Sequence, residues 1–299
     1  MKPGEFLLAV NDAPVDVARD VYAAFDGMAN KATWITVSAS PRIDGKERRI
    51  LVKPIANESQ LRYRDWVARN RELVANASKG RIGYVHVPDT GIRGQNELAR
   101  QYMGAFDKDA LIVDERWNGG GQIPTRFIEL LNRPVTNFWA VRHGEDMTWP
   151  PVGHRGPKCM LINEASGSGG DCFPTISARP ASASLIGRRT WGGLVGLSGN
   201  PGFIDGSSIT VPTIGFYEKD GTWGIEGHGV DPDIEVIDDP TQMVDGSDPQ
   251  LQAGIQHLLK QLETWKFERP NRPKAPDRSP TGCGPRITDP KPAQRRWDG

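Results

Sequence analysis

Long apolar runs are missing from this chain. Nowhere do the roughly 18 consecutive apolar residues needed to cross a bilayer occur, and the opening MKPGEFLLAVNDAPV has an apolar stretch too short for a signal peptide. Net charge is missing too: 37 basic residues balance 37 acidic ones, so nothing points to nucleic acid or to an anionic membrane surface. Cysteine is scarce. Cys159, Cys172 and Cys283 are odd in number, far apart and without a CxxC pair, which argues against a disulfide framework and a zinc site and makes a reducing, cytoplasmic compartment the expectation. What these absences leave is a soluble chain of 299 residues, long enough for two modest domains, with no cofactor and no metal implied by any motif.

What is present is unevenly spread. Short β-type runs at Phe6–Val10, Thr33–Ser38 and 49–54 surround a helix-like stretch, 15–28, and make residues 1–56 a small α+β module. Residues 57–78 set Leu61, Trp66, Val67, Leu73 and Val74 near helical spacing among many charges, as a connecting helix would. From 79 to 262 strand and helix patterns alternate, which predicts an α/β domain. Residues 263–299 are rich in proline and charge and, from Glu268 on, nearly empty of large apolar residues, so a disordered tail is expected.

Two glycine turns in the α/β region carry the chemistry. LIVDERWNGGGQ (111–122) is an apolar strand running into Asn118-Gly119-Gly120-Gly121, and KCMLINE runs into ASGSGGD in the same way. An acyl-transfer site needs that pairing. One turn supplies a nucleophile and an N–H, and the other supplies a second N–H for the oxyanion. Taken singly, each turn is only a place where glycine and serine are common.

Five segments in order raise the specificity: GRIGYVHVPDTG, DERWNGGG, INEASGSGGD, LIGRRTWGGLVG and WGIEGHGVDPDIEV. Their order and spacing resemble the S41 serine peptidases of the tricorn type, over nearly all of residues 1–262. The opening MKPGEFLLAVNDAPV with WITVSAS and RRILVKP resembles a PDZ domain entered partway, without its first strand and carboxylate-binding loop. The resemblance implies a truncated PDZ-like module followed by a crotonase/ClpP-like βαβ superhelix. It implies a serine-type peptidase acting on short peptides, and a homo-oligomer for the complete protein.

Carried onto this sequence, the resemblance puts the nucleophile on Ser168, with Ser166 as the alternative, and the first oxyanion donor on the N–H of Gly169. The second donor falls on Gly119, with Gly120 next. The family's glutamate falls on Glu226, which would orient a hydroxyl or histidine. His228 shares a face with Glu226 if the segment is a strand, and so would compete with it for one location. The tricorn-type histidine follows a serine upstream of the PDZ module. None of the five histidines here does so, and FPTISARPASASLIGRRTW has no lysine for a Ser–Lys pair. The chain therefore reads as a C-terminal part without its general base. Two other classes stay open, a peptide-binding scaffold without catalysis and a crotonase-like acyl-CoA enzyme.

Overall fold

The computed structural model describes residues 1–122, 124–181 (176–181 as backbone alone) and 183–274. The chain divides into two compact units, Met1–Glu72 and Leu73–Gly299.

In the first unit, β1 (Phe6–Val10), β2 (Ala13–Pro14), β3 (Thr33–Ser38) and β4 (Arg48–Val52) form an antiparallel sheet in the order β2-β1-β3-β4. Side-chain alternation turns Val10, Ile35 and Val37 inward, where Leu7, Val15, Phe25, Ile50 and Val52 pack on them. The helix expected over 15–28 is reduced to one 3-10 turn, Val21–Phe25. The reason is local: the carboxylates of Asp16 and Asp20 accept the N–H groups of Ala18 and Tyr22, bonds that compete with helix propagation. The division between the units falls inside α1 (Ser59–Ala77).

The second unit runs β5 (Ile82–His86), α2 (Ile92–Tyr102), β6 (Ala110–Asp114), α3 (Pro124–Leu131), β7 (Asn137–Trp139), β8 (Met147–Trp149), β9 (Lys158–Ile162), α4 (Gly169–Ala181), β10 (Ser184–Gly187), β11 (Gly196–Leu197), β12 (Pro212–Ile214), β13 (Ile234–Glu235) and α5 (Pro249–Thr264). Five strands make a parallel sheet in the order β13-β10-β9-β6-β5. Both faces are covered, which is why β6 and β9 read as unbroken apolar runs rather than as alternations. Leu111, Val113, Met160 and Ile162 join Leu98 and Tyr102 of α2, Phe127 of α3 and Phe173 of α4 in one core. Between them, Ile112, Cys159 and Leu161 face Gly254 of α5, where the missing side chain lets the helix approach.

After α5 the chain is anchored rather than free. The Phe267 ring lies 6.3 Å from that of Phe138 and under the Arg155 guanidinium, while Arg269 and Arg272 donate to the carbonyls of Asp146 and Val141. One aromatic and two arginines thus hold part of the segment from 263 that composition assigned to disorder. The remainder of the expected tail, 275–299, lies outside the described residues, as does Cys283. Cys159 and Cys172 are free thiols, both buried.

Candidate active site

Ser168 sits on a strand–turn–helix corner. β9 ends at Ile162, and the Asn163 carboxamide oxygen then caps the turn by accepting the N–H groups of Trp117 and Ala165. Ser168 itself has φ +56°, a left-handed conformation that costs a non-glycine residue energy and projects its side chain off the corner. Its N–H donates to Gly193 O at 2.9 Å, and its carbonyl accepts from Asp171 and Cys172 as α4 begins. The hydroxyl is half-buried and has no hydrogen bond among the described residues. Ser166 is different. It is fully buried, and its hydroxyl donates to Glu115 O at 2.9 Å.

The second glycine turn lies directly against this corner. A Cβ on Gly120, whose φ is +84°, would stand 2.6 Å from Ser168 Cβ and 3.0 Å from Gly169 N. A Cβ on Gly169 would collide with the Thr90 hydroxyl and reach within 2.9 Å of Gly121 N. Only glycine allows so close an approach. The N–H of Gly169, at the N-terminus of α4, has no acceptor among the described residues. In the other turn the Gly119 N–H donates to Pro88 O at 3.3 Å and the Gly120 N–H to Asn118 Oδ1 at 2.9 Å. The two donors named from sequence in this turn are therefore engaged within the fold, and Gly121 has the turn's unengaged N–H among the described residues.

Sequence reasoning passed over Asp171, the acid in the first turn of α4. It is fully buried; Oδ1 accepts from the Thr190 hydroxyl at 2.6 Å and Gly192 N at 2.8 Å, and Oδ2 from Gly193 N at 3.1 Å. This fastens segment 190–193 to the helix, and Gly193 O in turn holds the Ser168 N–H. Its signal was legible: an acid one turn into a helix whose N-terminus faces a glycine loop. Glu226 stands one segment further out, with its exposed contacts made by Oε2, which accepts from Leu194 N and Val195 N at 2.7 Å each. It orients backbone and has no hydrogen bond to a histidine among the described residues. Residues 226–228 form a turn, not a strand, so the shared-face argument about His228 does not apply.

Beside the corner, a cleft of about 430 Å³ is lined by Glu164, Arg188, Arg189, Trp191, Asp231 and Glu235, among others. The Trp191 ring packs against the turn so closely that a Cβ on Gly167 would lie 2.6 Å from its Cε3.

None of the five histidines hydrogen-bonds to the Ser168 hydroxyl. His86 is buried with Nε2 against Arg116 O, and burial lowers its pKa. His154 is buried beside the start of β6; burial, aided by the Lys158 charge, pushes it down to about 3. His257 pairs with Gln261 along α5. His228 is held between Arg189, 3.2 Å from Nδ1, and Asp231, 2.7 Å from Nε2, although its backbone abuts Gly192. Exposed His143 lies in the turn between β7 and β8.

Among known proteins, residues 81–236 match the model of peptidase family S41. The tricorn protease of Thermoplasma acidophilum is 34% identical over 270 residues, 90% of this chain and 25% of that protein. A tricorn protease homolog of Saccharolobus solfataricus is 39% identical over 221 residues, 73% of this chain and 20% of that protein. A crystal structure of the tricorn protease superposes with a TM-score of 0.81 at 33% identity, covering 87% of this chain and 25% of that one. The chain spans a quarter or less of the length of these relatives.

Proposed function

The chain belongs to peptidase family S41, and from that premise we propose that it carries the nucleophile half of a serine peptidase acting on short peptides. The observation behind this reading is Ser168. It is a left-handed serine at a strand–helix corner, flanked by an unengaged helix N-terminal N–H and a glycine turn that nothing bulkier could approach. The hydroxyl attacks the peptide carbonyl, and the oxyanion is received by Gly169 N–H and, in this arrangement, Gly121 N–H. A peptide boronate complex tests the assignment: its oxygen should lie on Gly169 and Gly121, and contact with Gly119 or Gly120 instead would restore the sequence-based donors. Asp171 keeps segment 190–193 behind the serine, and Glu226 keeps the next two residues. The charged cleft beside Trp191 takes a substrate side chain.

The general base comes from outside the described residues in this reading, because none of the histidines above bonds to the Ser168 hydroxyl. A serine hydroxyl is a poor nucleophile without one. The chain alone should therefore turn over a fluorogenic peptide slowly, with what activity it has lost in Ser168→Ala. A polypeptide extended upstream should be orders of magnitude faster. The second reading rests on the 2.7 Å His228–Asp231 pair next to Gly192, which could swing to the serine. Fast turnover by the chain alone, abolished by His228→Ala, would establish it. A catalytically silent peptide-binding scaffold predicts peptide binding with no turnover by either the chain alone or its extended form. The acyl-CoA reading gives the Ser168 hydroxyl no task. Residues 1–56 we read as the truncated PDZ-like module, on the support of the antiparallel order β2-β1-β3-β4, and residues 79–262 as the crotonase/ClpP-like form, on the support of the parallel sheet. The family's oligomer is part of the same proposal for the complete protein.

A further inference from the structure

Glu115 lies directly beneath the meeting of the two turns and is fully buried. Its backbone already joins them, since its carbonyl accepts both Asn118 N at 3.1 Å and the Ser166 hydroxyl at 2.9 Å. Its side chain is the anomaly. Both carboxyl oxygens are buried without a hydrogen bond, and so is the Nδ2 of neighbouring Asn118. The carboxyl lies against the Asn118 amide and the Ser166 hydroxyl and faces two acids, Asp171 of α4 and Asp114 of β6. The nearest cation on its own strand end, Arg116, is turned away into Asp114, Asp248 and Gln250. Asn118 is the hinge of the site, because its Oδ1 holds Gly120 N–H and its carbonyl accepts Gly167 N–H at 3.0 Å.

We propose that Glu115 is a proton-carrying positioning residue: a neutral carboxylic acid paired with the Asn118 carboxamide, locking the glycine turn and the serine turn to each other. A small closure of the two side chains lets the acid O–H donate to Asn118 Oδ1, which has a spare lone pair, and Asn118 Nδ2 donate to the acid carbonyl. All three orphan atoms are then satisfied at once. An ionised Glu115 would have no donor to offer Oδ1 and would put a third negative charge beside Asp171 and Asp114. Burial first, then those two acids, raise its pKa well above the ordinary 4.5, in keeping with the pairing. Loss of the proton as pH rises would release Asn118, and with it Gly120 and Gly167.

The proposed pairing belongs to the same site as the peptidase reading, but its test reads neither peptide binding nor cleavage, so either can fail alone. The folded chain keeps a proton above pH 4.5 that the unfolded chain releases. Its stability therefore falls with rising pH, and Glu115→Gln removes that slope. The melting temperature of Glu115→Gln minus that of wild type should rise as pH is raised above 4.5. A constant difference would overturn the proposal. Positioning is read by amide exchange, corrected for intrinsic rate, at Gly120 and Gly167. Glu115→Gln should keep their protection and Glu115→Ala should lose it by on the order of tenfold. Equal loss in both would overturn it. Should Glu115→Gln not fold, the infrared band of a protonated carboxyl in wild type at pH 7 decides, and its absence would refute the proton.

Discussion

Ser166 and Ser168 stand two residues apart and share a glycine-rich turn, yet the fold gives them opposite duties. Ser168→Ala should cut peptide hydrolysis by on the order of 10⁴–10⁶ in longer chains that carry the base, with an unchanged unfolding curve, because it removes one half-exposed hydroxyl. Ser166→Ala should do the reverse: it removes one of the two donors to Glu115 O, the Asn118 N–H remaining, so stability falls by about 0.5–1.5 kcal/mol in urea unfolding while kcat changes little at temperatures where the protein stays folded. Activity lost in Ser166→Ala and kept in Ser168→Ala would exchange the two roles. Asp171 is the third residue of consequence. Asp171→Ala strands the N–H groups of Gly192 and Gly193 and should lower both stability and turnover, the latter because Gly193 O no longer fixes the nucleophile's backbone.

At the scale of elements, the site is a contact between the corner leading into α4 and the turn after β6. Their separation is set by glycine. Gly120→Ala forces a residue at φ +84° to hold a Cβ 2.6 Å from that of Ser168. The left-handed backbone alone costs about 1–2 kcal/mol. The two turns must move apart, and kcat/KM should fall by on the order of a hundredfold, far more than the melting temperature shift would suggest. An alanine at Gly119, which meets nothing within 4 Å, is the control and should be nearly silent. The segment from 194 to 226 is a second element with a base at the site: Glu226 clasps its first two residues, and Gly227 N–H donates to Gly192 O. Glu226→Ala should loosen this base, seen as faster amide exchange at Leu194 and Val195, and reduce activity through that segment.

At the scale of the whole second unit, one buried ionic cluster ties sheet to helix. Arg116 donates to both oxygens of Asp114, to both of Asp248 at the N-cap of α5 and to Gln250, and Tyr84 OH completes Asp114 at 2.8 Å. The cluster closes the C-terminal end of β6, immediately before the glycine turn. Arg116→Met leaves two carboxylates without their cation and should cost about 3–5 kcal/mol in denaturant unfolding. Burial alone would raise the pKa of Asp114, but the adjacent Arg116 holds it below the ordinary 3.8. That contribution is present above pH 3.8 and is lost as pH falls through the lower folded value. Acid unfolding of wild type should thus be steep below about pH 4, and part of that steepness should vanish in Arg116→Met.

Strand positions and the layered α/β pattern of the second unit could be read along the chain, because burial on both faces writes β6 and β9 as continuous apolar runs and glycine marks each turn. The serine turn and the NGGG turn could be read for the same reason. What could not be read was which groups in those turns are free. Whether a backbone N–H or a serine hydroxyl is engaged depends on partners far along the chain: Pro88 for the Gly119 N–H, Glu115 for the Ser166 hydroxyl, Gly193 for the Ser168 N–H. The helix expected over 15–28 failed because two aspartate side chains outcompete the backbone locally, and the tail expected to be free from 263 is held as far as Arg272 because Phe267 and the arginines found partners at Phe138, Asp146 and Val141. Composition and periodicity, which act through near neighbours, determined the elements and the chemistry this protein could offer. Tertiary packing, which brings residues 90, 115, 120, 168 and 193 together, decided which atoms remain available to perform it.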